Sequence, residues 1–250
     1  MSARFAGALA LLCACSGGKP RTPVADDARH TPPPPAHDGA TPAPTGAGDL
    51  QVRVEWKNVP LAARASPGRT PCDTPRAPAV APTTTWGVPG AAVFVEGAAT
   101  KDAGESRVVL AACALAPRVS TGSSLVIASA MDRPARVTIT KLGDVAHLDA
   151  LRPGGTRTVQ LPIAGHAVGI AVEPGGVYQL ATDAKEPELA WFVAGAAFVS
   201  EAAGEITVAG VPAGPHAVRA WLPAAQKLGK GSATVVANDL TPVTIDLAAP

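Results

Sequence analysis

Proline and glycine interrupt this chain so often that a long helix has almost nowhere to form. Its 250 residues include 26 prolines and 25 glycines. No stretch of twelve or more residues without them shows the helical spacing of apolar side chains that an amphipathic helix needs. Residues 142–151 are the one segment for which we expect a helical turn or two.

Short runs of alternating apolar and polar residues predict strands instead. Alternation places every second side chain on one face of a strand, so that this face can be buried. The pattern predicts an all-β chain built as antiparallel β-sandwiches. The alternating runs occupy residues 50–56, 91–96, 137–140, 205–208 and 243–247, and turns rich in proline and glycine lie at residues 88–90, 152–155, 173–176 and 212–214.

The charge balance excludes one class of partner. The chain carries 21 lysines and arginines against 20 aspartates and glutamates, scattered along its length, for a net charge of +1. A protein that binds nucleic acid needs a basic face to neutralise phosphates. We therefore expect no nucleic-acid partner.

The first residues predict export. Arg4 precedes an apolar run at residues 5–14, which is typical of a secretory signal and is too short to span a bilayer. Residues 12–15, Leu-Cys-Ala-Cys, resemble the bacterial lipobox. The resemblance implies that residues 1–14 are a removed signal peptide and that Cys15 is lipidated. An ordinary cleaved signal is the alternative.

A proline-rich segment follows the signal. Residues 15–49 show no apolar periodicity, and their composition predicts a disordered tether. Ser16 resembles the signal for transfer to the outer membrane. We expect an outer-membrane lipoprotein of the bacterial cell envelope that faces the periplasm or the cell exterior, with the tether holding its folded part away from the lipid headgroups.

The middle of the chain carries a family resemblance. Its motif residues are Cys113, Pro117 and Val119, the pair Thr121-Gly122, the apolar run 125–127 and Asp132, followed by 176–180, Asp183 and Ala190-Trp191. This order resembles the cupredoxin-like periplasmic proteins related to methylamine utilisation, with scattered similarity over residues 50–250. The resemblance implies a cupredoxin-like sandwich at residues 100–190.

The expected copper ligands of that family are missing. A type 1 copper site uses two imidazoles, a thiolate and a weak axial thioether. The resemblance places Arg136 at the first histidine, Thr182 at the thiolate, Lys185 at the second histidine and Glu188 at the thioether. It therefore implies a degenerate site with no cofactor, in which Arg136 and Lys185 repel cations and Arg136 pairs with Glu188.

Other possible metal ligands are few. His147 and His166 are the remaining histidine candidates within the sandwich region. Two histidines without a thiol suit an opportunistic Zn²⁺ or Cu²⁺ rather than electron transfer. Whether they bind any metal stays open.

Two cysteines remain beyond Cys15. Leftover cysteines of an exported chain usually pair, and the cupredoxin-like resemblance places one before the first apolar strand and one before Pro117. We therefore expect a disulfide between Cys72 and Cys113. The bridge would pin the proline-rich residues 66–89, which have no strand pattern, onto the sheet.

The C-terminal part carries a second resemblance. Residues 198–221, with a Val-Pro-x-Gly turn at 211–214, resemble the carboxypeptidase regulatory-like repeat, and residues 50–56 and 90–95 resemble its opening half. Such transthyretin-like sandwiches, which have a carbohydrate-binding-like fold, bind or brace partners. The resemblance implies one sandwich from residues 50–99 plus 191–250, interrupted by the other at residues 100–190. Tandem sandwiches are the alternative.

No motif predicts catalysis. The sequence lacks the Gly-x-Ser-x-Gly nucleophile elbow, and we interpret Glu186 and Glu188 as solvated charges. We predict a non-enzymatic binding or structural lipoprotein whose partners are the membrane, through its lipid anchor, and an envelope protein or a glycan. The alternatives are a cupredoxin-type metal or electron carrier and a module for glycans or small ligands. Among the tryptophans we expect Trp86 to be exposed and Trp191 and Trp221 to lie in the core.

Overall fold

A computed structural model describes residues 45–98, 104–195 and 197–247. The predicted signal peptide, Cys15 and residues 15–44 of the predicted tether lie outside these residues. The first strand begins at Ala47, so the end of the predicted tether belongs to the folded part. No helix within the described ranges is long and apolar enough to cross a membrane.

Strands dominate the described part of the chain. Three short helical segments lie beside the strands in the described ranges: a four-residue α-helix α1 (Leu61–Arg64) and 3-10 turns at Val145–His147 and Pro223–Ala225. Numbered in chain order, the strands are β1 (Ala47–Glu55), β2 (Ala92–Val95), β3 (Glu105–Ala111), β4 (Ala114–Ala116), β5 (Val119–Gly122), β6 (Ser124–Ser129), β7 (Ala135–Asp144), β8 (Thr156–Leu161), β9 (Ala167–Ile170), β10 (Gly176–Thr182), β11 (Leu189–Ala194), β12 (Phe198–Val199), β13 (Glu205–Pro212), β14 (Gly214–Leu222), β15 (Lys227–Val235) and β16 (Leu240–Asp246).

Strands from both ends of the described chain form one pair of sheets, which we call the outer sandwich. Their orders are β13-β1-β16 and β12-β2-β14-β15. The alternation in β1 places every second side chain in the core. Leu50, Val52 and Val54 are fully buried, whereas the residues between them are not. They share one apolar cluster with Val93 and Val218 of the facing sheet.

The strands between residues 105 and 194 form a second pair of sheets, the inner sandwich. Their orders are β4-β3-β6-β9 and β5-β11-β10-β7-β8. Its core includes Ile127 of one sheet and Val137 and Leu180 of the other. The all-β sandwich prediction is confirmed. The predicted boundary at residue 191 falls inside β11, and the two family assignments stay predictions.

Three neighbouring strand pairs depart from the antiparallel expectation. β1 and β16, β3 and β6, and β5 and β11 are parallel. A tight turn forces two strands to be antiparallel, whereas strands joined by a long connection are free to run either way. The two strands of each parallel pair are separated by at least one other strand along the chain. The alternation within one strand therefore does not predict which strand it pairs with or in which direction.

The helical turn expected within residues 142–151 is present as one short 3-10 turn. Strand β7 continues to Asp144, and only Val145–His147 forms a 3-10 turn within residues 142–151. The short helix α1 follows Pro60, in a segment where no helix was predicted. A helix of this length has too few turns to produce an apolar periodicity.

An apolar layer joins the two sandwiches. Trp221 of β14 and Trp191 of β11 are almost fully buried in it, which confirms their predicted place in the core. The other buried members come from both sandwiches and are Ala92, Phe94, Val119, Leu142, Leu148, Val177, Val193 and Ala197. The sandwiches therefore pack directly on each other.

Residues 66–89, which we call the strap, run between β1 and β2 without forming a named strand. The predicted disulfide is present: Cys72 of the strap is bonded to Cys113, with their Cα atoms 5.6 Å apart. The Thr74 hydroxyl donates to the Ala112 carbonyl at 3.1 Å, and Arg118 Nη1 donates to the Pro78 carbonyl at 2.7 Å. The strap is thus pinned onto the inner sandwich, as predicted.

The disulfide ends in an unusual hairpin turn. Ala112 and Cys113 connect β3 to β4, and their φ angles are +46° and +63°. Two-residue hairpin turns with positive φ at both positions normally use Asn-Gly or Gly-Gly, because a Cβ atom disfavours this conformation. Here the bridge to Cys72 and the hydrogen bond from Thr74 hold a turn that its own residues do not favour.

The turn yields a stability prediction. Ala112→Gly removes the Cβ atom from a left-handed residue and should raise the free energy of unfolding by about 0.5–1 kcal/mol. Ala114→Gly is the matched control, because Ala114 lies in β4 and glycine in a strand should lower that free energy. Urea unfolding of both variants checks this, and a destabilised Ala112→Gly protein would contradict the left-handed turn.

Candidate functional site

The predicted copper positions lie near one end of the inner sandwich, around the β10–β11 hairpin. Thr182 ends β10, Lys185 is exposed in the bend at residues 183–186, and Glu188 directly precedes β11. Arg136 lies near the start of β7, the strand that pairs with β10.

Thr182 and Glu188 are brought together by the hairpin. The Thr182 amide donates to the Glu188 carbonyl at 3.1 Å, and the Glu188 amide donates to the Thr182 hydroxyl oxygen at 2.9 Å. Both contacts close the turn between the two strands. The Thr182 hydroxyl, at the predicted thiolate position, is therefore occupied by a hydrogen bond from the backbone of the hairpin.

Arg136 does not join them. Thr182 is directly opposite Val137 in the register of β7 and β10, and opposite residues of an antiparallel pair share a face. Val137 is fully buried, whereas Arg136 is exposed and donates from Nε to Gln160 Oε1 at 3.4 Å. The alternation of side chains puts Arg136 on the outer face. Arg136 therefore does not share a face with Thr182, contrary to the expectation that it lines one cation-repelling site together with Lys185.

Glu188 pairs with an arginine that the sequence did not single out. Arg76 of the strap places Nε 3.2 Å from Glu188 Oε1 and Nη1 3.4 Å from Glu186 Oε2. Its Nη2 also donates to the Glu186 carbonyl at 2.8 Å. The Arg76 and Glu188 side chains are 9% and 13% exposed. The expected Arg136–Glu188 pair is absent, and Glu188 is not a solvated charge.

A second arginine lies close to this pair. Burial lowers the pKa of Arg118 from its ordinary value, and the charge of Glu188 partly offsets that effect. Because Arg118 also donates to the carbonyl of Pro78, two arginines and one glutamate hold the strap to the inner sandwich. A proline-rich loop carries no periodicity from which such contacts could have been predicted.

A cavity of about 270 Å³ opens beside the disulfide. Arg133 and Asp183 bring opposite charges to it, and Arg133 Nη2 lies 3.0 Å from Cys113 Sγ and 3.4 Å from Cys72 Sγ. Most of its remaining wall is apolar. The lining residues are Pro71, Leu110, Cys113, Met131, Arg133, Pro134, Ala135, Thr182, Asp183 and Ala184.

The candidate histidines are exposed and lie on different connections. His147 belongs to the 3-10 turn after β7, and His166 lies between β8 and β9. Across residues 45–98, 104–195 and 197–247, no three or more His, Cys, Asp or Glu side chains form a group that could hold a metal ion.

The tryptophans do not form a stacking platform. Trp86 lies in a turn of the strap and is 40% exposed, as predicted. Trp56, Trp191 and Trp221 are buried. Only Trp86 therefore offers a ring face to a ligand.

Comparisons with protein-family models, with curated proteins and with solved structures found no match to this chain. The cupredoxin-like and carboxypeptidase regulatory-like resemblances rest on the motif residues alone. The geometry of the site is therefore the basis for any functional proposal.

The arginine pairing can be tested by a double-mutant cycle with Arg76→Gln and Glu188→Gln. We expect a coupling free energy of about 1–2 kcal/mol, because both side chains are largely shielded from solvent. The matched cycle uses Arg136→Gln with Glu188→Gln and should give a coupling near zero. Chemical unfolding of the variants supplies the values. A coupling near zero for Arg76 and Glu188 would contradict their pairing, and a coupling for Arg136 and Glu188 as large as about 1–2 kcal/mol would restore the Arg136 pairing.

Proposed function

We propose that this chain is a non-catalytic binding or bracing module of the bacterial envelope, held at the outer membrane by a lipid on Cys15. The observation that supports it is that two residues at the predicted copper-ligand positions make structural contacts. Thr182 closes a hairpin, and Glu188 anchors Arg76 of the strap. Groups committed to structural contacts of this kind suit a scaffold better than a metal or electron carrier.

The packing of the two sandwiches also supports a bracing role. Trp191 and Trp221 lie in an apolar layer that joins them, and Arg219 of β14 donates to the Val145 carbonyl of the inner sandwich at 3.1 Å. Rigid coupling of two sandwiches presents their loops in a fixed arrangement. Binding residues are commonly found on loops that such a scaffold positions.

A small-ligand module is the second candidate. The cavity beside the disulfide supports it, because apolar walls with a few charged groups are typical of ligand pockets. For a glycan, the exposed ring of Trp86 is the group that suits stacking. A small ligand in the cavity and a glycan on Trp86 are both compatible with a lipid-tethered module.

The anchor is tested by fractionation of cells that produce Cys15→Ser. Loss of the lipidated thiol should move the protein from the membrane fraction to the soluble fraction. Cys13→Ser is the control, because Cys13 precedes the predicted cleavage position and its replacement should leave the protein with the membranes. If Cys15→Ser sediments like the parent, the tethering proposal fails.

Copper binding separates the scaffold from the electron carrier. Blue-copper colour requires a thiolate ligand, and Cys113 is bonded to Cys72. Protein incubated with Cu²⁺ and then desalted should carry well under one copper per chain and show no intense visible band. A stoichiometric blue species would support the carrier instead.

A further inference from the structure

The disulfide stands at the wall of a cavity, and its two sulfurs are not equivalent. Cys113, on the β3–β4 hairpin, lines the cavity of about 270 Å³, whereas Cys72 does not. Cys72 belongs to the strap, and the adjacent strap residue Pro71 forms part of the same wall. A small molecule in the cavity therefore meets Cys113.

A permanent cation lies against both sulfurs. Arg133 Nη2 is 3.0 Å from Cys113 Sγ and 3.4 Å from Cys72 Sγ, and a guanidinium keeps its charge at all ordinary pH values. A neighbouring cation stabilises a thiolate. A sulfur that is a more stable thiolate leaves faster in thiol–disulfide exchange. Because Arg133 contacts both sulfurs, it can stabilise Cys72 as the leaving thiolate, and access from the cavity selects Cys113 for attack.

The hairpin turn adds to the asymmetry. Ala112 and Cys113 are held at positive φ, a conformation that costs free energy for residues with a Cβ atom. Opening the bridge removes the covalent constraint on Cys113. The hydrogen bond from Thr74 then remains as the contact of the strap with this turn.

We propose that Cys113 is a thiol-exchange site, which makes the bridge a latch that an incoming thiol can open in the folded protein. The incoming thiolate attacks Cys113 Sγ from the cavity and forms a mixed disulfide with it. The Cys72–Cys113 bond breaks, and its electron pair leaves on Cys72 Sγ as a thiolate beside Arg133.

Full opening requires a dithiol reductant. The second thiolate of that dithiol attacks its own sulfur in the mixed disulfide and displaces the Cys113 thiolate. The dithiol is oxidised to a cyclic disulfide and loses two electrons, and the Cys72–Cys113 bridge gains them. Both cysteine thiolates take up protons from water according to the ambient pH.

Opening releases only one attachment of the strap. Arg76 stays paired with Glu188, and Arg118 stays bonded to Pro78. The Thr74 hydroxyl still donates to the Ala112 carbonyl, so that opening the bridge loosens Pro71 at the cavity wall while the strap stays attached. This proposal goes beyond the bracing function and does not depend on it.

The test uses the full chain with Cys13→Ser and Cys15→Ser, so that Cys72 and Cys113 are its only cysteines. The protein is mixed with the neutral monothiol 2-mercaptoethanol, quenched with acid at short times, alkylated and analysed by peptide mass spectrometry. We expect a mixed disulfide on Cys113 with alkylated Cys72, at a rate proportional to thiol concentration.

Two arginine variants test the role of the cation. Arg133→Gln should slow the exchange about threefold, a modest factor because Arg133 is exposed and screened by solvent. Arg136→Gln removes the same charge from a side chain on the outer face of β7 and should leave the rate unchanged. Added salt should slow the parent protein and leave Arg133→Gln unaffected. Thermal unfolding of each variant shows that it is folded.

Three results would overturn the proposal. The first is a rate that does not change with thiol concentration, since exchange would then wait for global unfolding. The second is a mixed disulfide found mainly on Cys72. The third is an equal rate for Arg133→Gln and Arg136→Gln, which would remove the cation from the mechanism.

Discussion

The attachment of the strap is the constraint on which much of this architecture depends. The chain leaves the outer sandwich after β1, crosses to the inner sandwich and returns as β2, and this crossing contains no sheet that could hold it. One disulfide, two arginines and the hydrogen bond from Thr74 hold it to the inner sandwich instead. Val80 and Val88 of the strap are buried in the core of the outer sandwich. The residues around Cys72 are more exposed, and segments held by a few exposed contacts open more readily than buried strands.

What the sequence predicts well is local. Alternation over residues 50–56 and 243–247 anticipated β1 and β16, because a strand with one buried face repeats every second residue. Burial of Trp191 and Trp221 followed from their place in apolar runs. The expected pairing of the two remaining cysteines followed from the predicted export, from the count of cysteines and from the cupredoxin-like resemblance.

What it predicts poorly depends on register and on distant contacts. A shift of one residue moves a side chain to the other face of a sheet, which is why the aligned position Arg136 does not meet Thr182. The partner of Glu188 lies in a segment without periodicity, so that no local signal points to Arg76. The parallel pairing of β5 and β11 joins strands that are separated by most of the inner sandwich.

The Ala112–Cys113 turn shows how a long-range bond overrides local preference. Residues with a Cβ atom at both positions do not favour a turn with positive φ, and the bridge supplies what the local sequence lacks. Places where local and global preferences conflict are commonly strained or functional. Here the conflict is concentrated at one covalent bond beside a cavity. The strap is attached to the inner sandwich by that bond, which thiols can reduce, and by ion pairs and hydrogen bonds, which thiols do not affect. Loss of the covalent bond alone leaves the contacts of Thr74, Arg76 and Pro78 with the inner sandwich in place, so that the strap stays attached at these positions.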